Sequence, residues 1–160
     1  MKGQGLSADS FSLAFDRYTD MVYRIALHST SNLEDAEDIT QEVFLRLLDS
    51  SKRFESEEHL KAWLIRVAIN TCHSHFRGRR EIPVEQLPEQ GEAAPETPVL
   101  DEVRLLPEKY RNAIYLHYYE GYTAKEIAGI LHTRQNTVLS WLKRGRELLR
   151  RQMTGGFEDE

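Results

Sequence analysis

Eight residues near the C-terminal end carry side chains that can read a nucleic acid: Arg134, Gln135, Asn136, Thr137, Leu139, Ser140, Lys143 and Arg144. An arginine or lysine can grip a guanine edge, an amide can pair with adenine, and an apolar side chain can meet a thymine methyl. Val138, Leu142 and Leu149 recur at helical spacing between them. That spacing predicts a helix from Gln135 to about Arg150, apolar on one side, with Ser140, Lys143, Arg144 and Glu147 on the other. Upstream, Thr123 and Glu126 have the spacing of a capping box, and Ile127, Ala128 and Leu131 give a shorter helix its apolar stripe. His132-Thr133-Arg134 is the break. A short helix, a tight turn and a longer helix with a basic outer face is the geometry that lays a helix in the major groove. A helical hairpin with a solvated basic face is the simpler alternative.

Two further groups stand out in the N-terminal half. Asp38, Gln41 and Glu42 form a polar strip at i, i+3 and i+4, with Asp35 one turn earlier and Phe44 further along. Such a strip is either a solvated face or a docking surface. Next come Lys61, Trp63, Arg66, Asn70, His73 and Arg77, followed by the basic cluster Arg77-Gly78-Arg79-Arg80. Cations, an aromatic ring and an amide together suit a single-stranded nucleic acid, whose bases stack while its phosphates are tracked. Trp63 also fits a core position beside Leu60, Leu64 and Val67. Cys72, His73 and His75 do not share one helix face and lack a fourth ligand, so no metal site is expected. No glycine-rich phosphate loop or nucleophile elbow is present. Neither an enzyme nor a cofactor is expected.

The elements that position these groups read as helices throughout. Phe11, Phe15, Tyr18, Val22, Ile25 and Ala26 follow one helical stripe. Ser31-Asn32 is a break and a capping site. Asp35 to about Leu48 is a second helix with its acids in the first turns, and Glu57 or Ser56 opens a third that runs to about Arg77. The 160-residue chain is acidic overall, at −5, but unevenly. Residues 81–98 hold five glutamates, four of the five prolines and no Lys or Arg, whereas residues 99–153 hold ten basic and six acidic side chains. The acidic segment reads as a flexible linker. The predicted organisation is therefore all-α, with two small helical domains at 1–80 and 99–153 joined by a linker at 81–98. An acidic tail at 154–160 is expected to be disordered. A single cysteine allows no intramolecular disulfide. Without a long apolar run or a hydrophobic signal segment, a cytoplasmic protein with no direct membrane insertion is expected.

The runs DAEDITQEVF, KAWLIRVAINTC and LPEKYRNAIYLHYYEGYTAKEIAGIL, then the helix-turn-helix, occur here in one order. In this the chain resembles bacterial RNA polymerase sigma factors of the small extracytoplasmic-function group, over roughly residues 9–153. The resemblance implies an alternative sigma factor made of region 2 and region 4. Asp35, Asp38, Gln41, Glu42 and Phe44 would lie on the helix that docks on the β′ clamp helices of core RNA polymerase. Lys61, Trp63, Arg66, Asn70, His73, Arg77, Arg79 and Arg80 would face the separated strand of the promoter −10 element. Leu105, Leu106, Tyr110, Ile114 and Leu116 would pack region 4 and meet the polymerase β flap. The helix carrying Gln135 to Arg144 would read the −35 element. An anti-sigma partner is also implied.

Four positions depart from the family pattern. His132 stands where the turn usually has glycine, which predicts a strained or slightly altered turn. Leu139 and Trp141 stand where basic residues are common, and Ser74 where aspartate is common. Leu139 either meets a thymine methyl or faces the core. A stand-alone helix-turn-helix regulator is the competing function; it would bind duplex DNA without polymerase and would leave the first 80 residues unexplained.

Overall fold

The computed structural model describes residues 7–50, 52–79, 102–103 and 105–158; at 76–79 and 153–158 it describes the backbone alone. The chain divides into two compact units, Met1–Ala94 and Pro95–Glu160. All regular structure among the described residues is helical, as the sequence predicts.

The first unit is built from α1 (Ala8–Thr30), α2 (Leu33–Asp49) and α3 (Glu57–Arg79). Each start has a physical cause. The Ser7 hydroxyl accepts the Ser10 N–H at 3.1 Å. The Asn32 side chain accepts the Asp35 N–H at 3.0 Å, and the Ser56 hydroxyl accepts the His59 N–H at 3.1 Å. Removing such a cap costs about 1 kcal/mol. Ser31 ends α1 in the left-handed region, at φ 55°, so α2 can turn back immediately. The core between the helices comprises Val22, Ile25 and Ala26 of α1, Ile39, Val43 and Leu47 of α2, and Leu64, Ile65, Ala68 and Cys72 of α3. The Tyr18 hydroxyl donates to Glu57 at 2.6 Å, and Arg17 pairs with the same carboxylate at 3.0 Å, tying α1 to the start of α3. Burial, reinforced by that hydrogen bond, pushes the Tyr18 hydroxyl pKa up to about 12.

The second unit holds α4 (Glu108–Ile114), a π turn (Tyr115–Tyr119), α5 (Ala124–Leu131) and α6 (Gln135–Glu158). Pro107 precedes α4, where its missing N–H costs nothing. In the π turn the Glu120 N–H reaches back to the Tyr115 carbonyl at 3.2 Å, and the Tyr115 hydroxyl donates to the Glu120 carboxylate at 2.7 Å. Gly121, at φ 80°, then reverses the chain. Nothing in the 3.6-residue apolar period marks the π turn.

The capping box at α5 is fully formed. The Thr123 hydroxyl accepts the Glu126 N–H at 3.1 Å, and the Glu126 carboxylate accepts the Thr123 N–H at 2.9 Å. Of the strained or slightly altered turn expected at His132, the structure shows the strained form: the residue is left-handed, at φ 58° and ψ 49°. A non-glycine residue there costs on the order of 1–2 kcal/mol. Helix α6 runs to Glu158, eight residues past its expected end near Arg150. The tail expected to be disordered is thus helical at its start, because extending an existing helix adds one hydrogen bond per residue fixed. Gly145 lies where α6 crosses α4. A Cβ there would come 2.8 Å from Cγ1 of Ile114, so only glycine permits this approach.

Candidate docking and nucleic-acid interfaces

Helix α2 sorts its residues by angle. Asp38, Gln41 and Glu42 are all exposed, and Glu42 bonds Arg46 one turn on at 2.7 Å. Asp35 and Phe44, expected on the same surface, are not part of it. Phe44 is 3% exposed and packs edge-on against Phe15, with ring centroids 4.9 Å apart. Two residues beyond Glu42 is about 200° around a helix, which turns Phe44 inward. Asp35 is 8% exposed and lies 3.5 Å from the His75 ring of α3. The strip continues instead through Leu45 and Leu48, at 60% and 56% exposed. Their spacing from Gln41, at i+4 and i+7, was the available sequence signal.

On α3, Trp63, Arg66, Asn70 and His73 recur at i, i+3, i+7 and i+10 and fall on one side, opposite buried Leu64, Ala68 and Cys72. Asn70 and His73 are exposed, whereas Trp63 and Arg66 are half-buried. Trp63 is neither core nor free. Its ring meets Phe54 edge-on at 5.5 Å, and Phe54 meets His59 at 5.2 Å. Phe54 is the aromatic that sequence reading missed; its signal was the run Lys52-Arg53-Phe54 just before α3. Lys61 departs from the group, about 160° around the helix from Trp63. Arg77 and Arg79 are on the last turn of α3, but their side chains, like Arg80, lie outside the described residues. So does the expected linker at 81–98.

Helix α6 presents Gln135, Asn136, Leu139, Ser140, Lys143 and Arg144 outward, with Arg134 exposed just before it and Thr137 half-buried. The inner side holds Val138, Leu142 and Gly145. Leu139 is 46% exposed, so of the two sequence alternatives it faces out. Arg144 is lightly held by Glu147 at 3.3 Å, an exposed pair that a phosphate or guanine can outcompete. Arg146, on the flank, donates to the Tyr118 hydroxyl at 3.3 Å.

Residues 14–82 match the Sigma-70 region 2 family, and residues 97–149 match Sigma-70 region 4. The chain is 29% identical to the ECF RNA polymerase sigma factor SigW of Bacillus subtilis, across 91% of this chain and 89% of that protein. It is 30% identical to SigV, an RNA polymerase sigma factor of the same organism, across 82% of this chain and 84% of that one. The chain belongs to the ECF sigma factors. Its fold is also that of the sigma factor RpoE of Bartonella quintana, solved with the anti-sigma factor NepR. There the TM-score is 0.78 at 22% identity, over 92% of this chain and 98% of that one. As a sigma factor the protein binds core RNA polymerase and directs promoter-specific transcription initiation. The region 2 match gives the first unit a role that a stand-alone regulator leaves empty. Among the described residues no helix is long and apolar enough to cross a membrane.

Proposed function

We propose that the protein divides its work among three helix faces. The strip Asp38, Gln41 and Glu42, extended by Leu45 and Leu48, docks on the clamp helices of polymerase, where acidic and amide groups complement basic ones. The α3 face of Trp63, Arg66, Asn70 and His73, with the basic exit Arg77, Arg79 and Arg80, holds the unpaired −10 strand. Phe54 backs Trp63 in that role. The outer face of α6, from Arg134 to Arg144, reads the −35 duplex. The observation that carries this reading is the placement of Trp63, Arg66, Asn70 and His73 on one side of α3. A ring for stacking, a cation for phosphate and an amide for a base edge then act on a single strand together.

Melting follows as an equilibrium trap. Bases bind this face only when unpaired, so their binding energy offsets the unstacking cost of a few kcal/mol. The protein thus acts by binding, without a catalytic step of its own. The domains are 1–80 and 99–153, and a flexible linker at 81–98 lets them reach both promoter elements. It works in the cytoplasm. RpoE of Bartonella quintana forms a complex with NepR, and a comparable anti-sigma protein would hold this chain off polymerase. The test is gel filtration with bacterial core polymerase. The wild-type chain co-elutes and the Asp38→Ala/Gln41→Ala variant does not. Co-elution of the double variant at wild-type level would remove α2 as the dock.

A further inference from the structure

A groove runs along the seam between α1 and α2, beside the docking strip. It is lined by Phe15, Thr19, Asp20 and Tyr23 of α1 and by Glu37, Thr40 and Gln41 of α2, and encloses about 330 Å³. Phe15, Thr19 and Tyr23 recur every four residues, and Glu37, Thr40 and Gln41 face them at i, i+3 and i+4. The walls are of two kinds. Phe15 and Tyr23 supply aromatic rings, and Asp20 and Glu37 supply exposed carboxylates. Neither carboxylate has an ion-pair partner among the described residues. Burial and the nearby Glu37 charge raise the Tyr23 hydroxyl pKa, so that ring stays neutral. The Thr40 hydroxyl donates to the Ala36 carbonyl at 2.7 Å.

Aromatic rings beside unpaired carboxylates are what a long cationic side chain needs. Its stem lies along the rings and its head meets the acids. Gln41 belongs both to this groove and to the proposed docking strip, so an occupant of the groove is continuous with whatever α2 meets. We infer that the groove is a socket for a basic side chain, arginine or lysine, projecting from the polymerase surface that receives α2. The inference rests on the docking role proposed above for that helix. It extends the dock onto α1 and makes Asp20, Tyr23 and Glu37 determinants of polymerase affinity.

The test is the dissociation constant of the fluorescently labelled full chain with core polymerase, measured across a salt series. Asp20→Asn/Glu37→Gln is compared with Glu55→Gln/Glu58→Gln, which removes the same charge from exposed positions outside the groove. The groove variant should bind about tenfold more weakly at every salt concentration, with a largely unchanged salt dependence, as expected for losing a desolvated cation contact that salt screens little. The outer pair should match wild type. Thermal melting of both variants at the wild-type temperature excludes misfolding as the cause. Equal losses in the two variants would reduce the effect to bulk charge and overturn the socket. Wild-type binding by the groove variant would overturn it as well. In that case the Asp38→Ala/Gln41→Ala variant separates the two ideas: if it fails to bind, the dock stands and only the socket falls.

Discussion

The outer faces of α3 and α6 make an instructive pair. Both helices bury an apolar side and turn polar residues outward, yet the polar sets differ. On α3 the outward residues include a half-buried indole locked against Phe54, with Arg66 also half-buried. On α6 they are short or exposed: Asn136, Ser140, Lys143 and Arg144. A fixed ring suits bases that have left the stack. A slim, exposed face suits insertion between two intact backbones, where a bulky ring would collide with the groove walls. The two faces therefore differ in rigidity as well as chemistry, and the difference matches one face for melted strand and one for duplex.

Substitutions can break this contrast, and the largest effect is expected on α3. Trp63→Ala should lower open-complex formation on a duplex promoter by roughly tenfold to a hundredfold, since stacking contributes about 1–3 kcal/mol per base. On a promoter with a pre-melted −10 bubble the defect should shrink. A permanganate footprint on both templates checks this, and an equal defect on both would sever Trp63 from melting. Arg144→Ala comes next. It should weaken promoters that depend on the −35 element by about 1–3 kcal/mol while leaving polymerase binding intact. Run-off transcription with and without a −35 element tests it; the same loss on both templates would contradict the assignment.

Two smaller effects sharpen the comparison by disturbing the support of α6 and leaving its face untouched. Gly145→Val places a branched side chain against Ile114 and should destabilise the second unit by roughly 1–3 kcal/mol. Its melting transition should fall while that of the first unit stays put. His132→Gly removes the left-handed penalty at the turn, so a gain of about 0.5–1 kcal/mol is expected after the added flexibility of the unfolded chain is counted. Calorimetry showing no rise, or a loss, would mean that the His132 side chain contributes more to the turn than its backbone costs.

Elements whose ends carry chemical punctuation were legible from the sequence. Asn32 and the Thr123/Glu126 box announce α2 and α5, and His132 announces its own strained turn. Residues whose role depends on an angle within a helix were less so. Phe44 and Lys61 lie close in sequence to true members of their groups, yet a displacement of two residues turns each away. Leu45 and Leu48 look like core by composition; their spacing from Gln41 hints otherwise, and the packing of α2 shows that its interior is already filled by Ile39, Val43 and Leu47. Asp35 reads as a surface acid until α3 brings His75 beside it, a contact set by tertiary structure alone.

The π turn at Tyr115–Tyr119 has a consequence for how this domain tolerates changes in length. A π turn is an α-helix with one residue spliced in. Deleting a single residue there would let the segment relax into an unbroken α-helix. Everything on its N-terminal side would then be rotated by about 100° against the rest. Ile114 would swing off Gly145, and the space that glycine leaves for the Ile114 side chain would have nothing to fill it. The extra residue therefore acts as a phase-setting shim, and the alignment of α4 with the reading helix depends on a count of one.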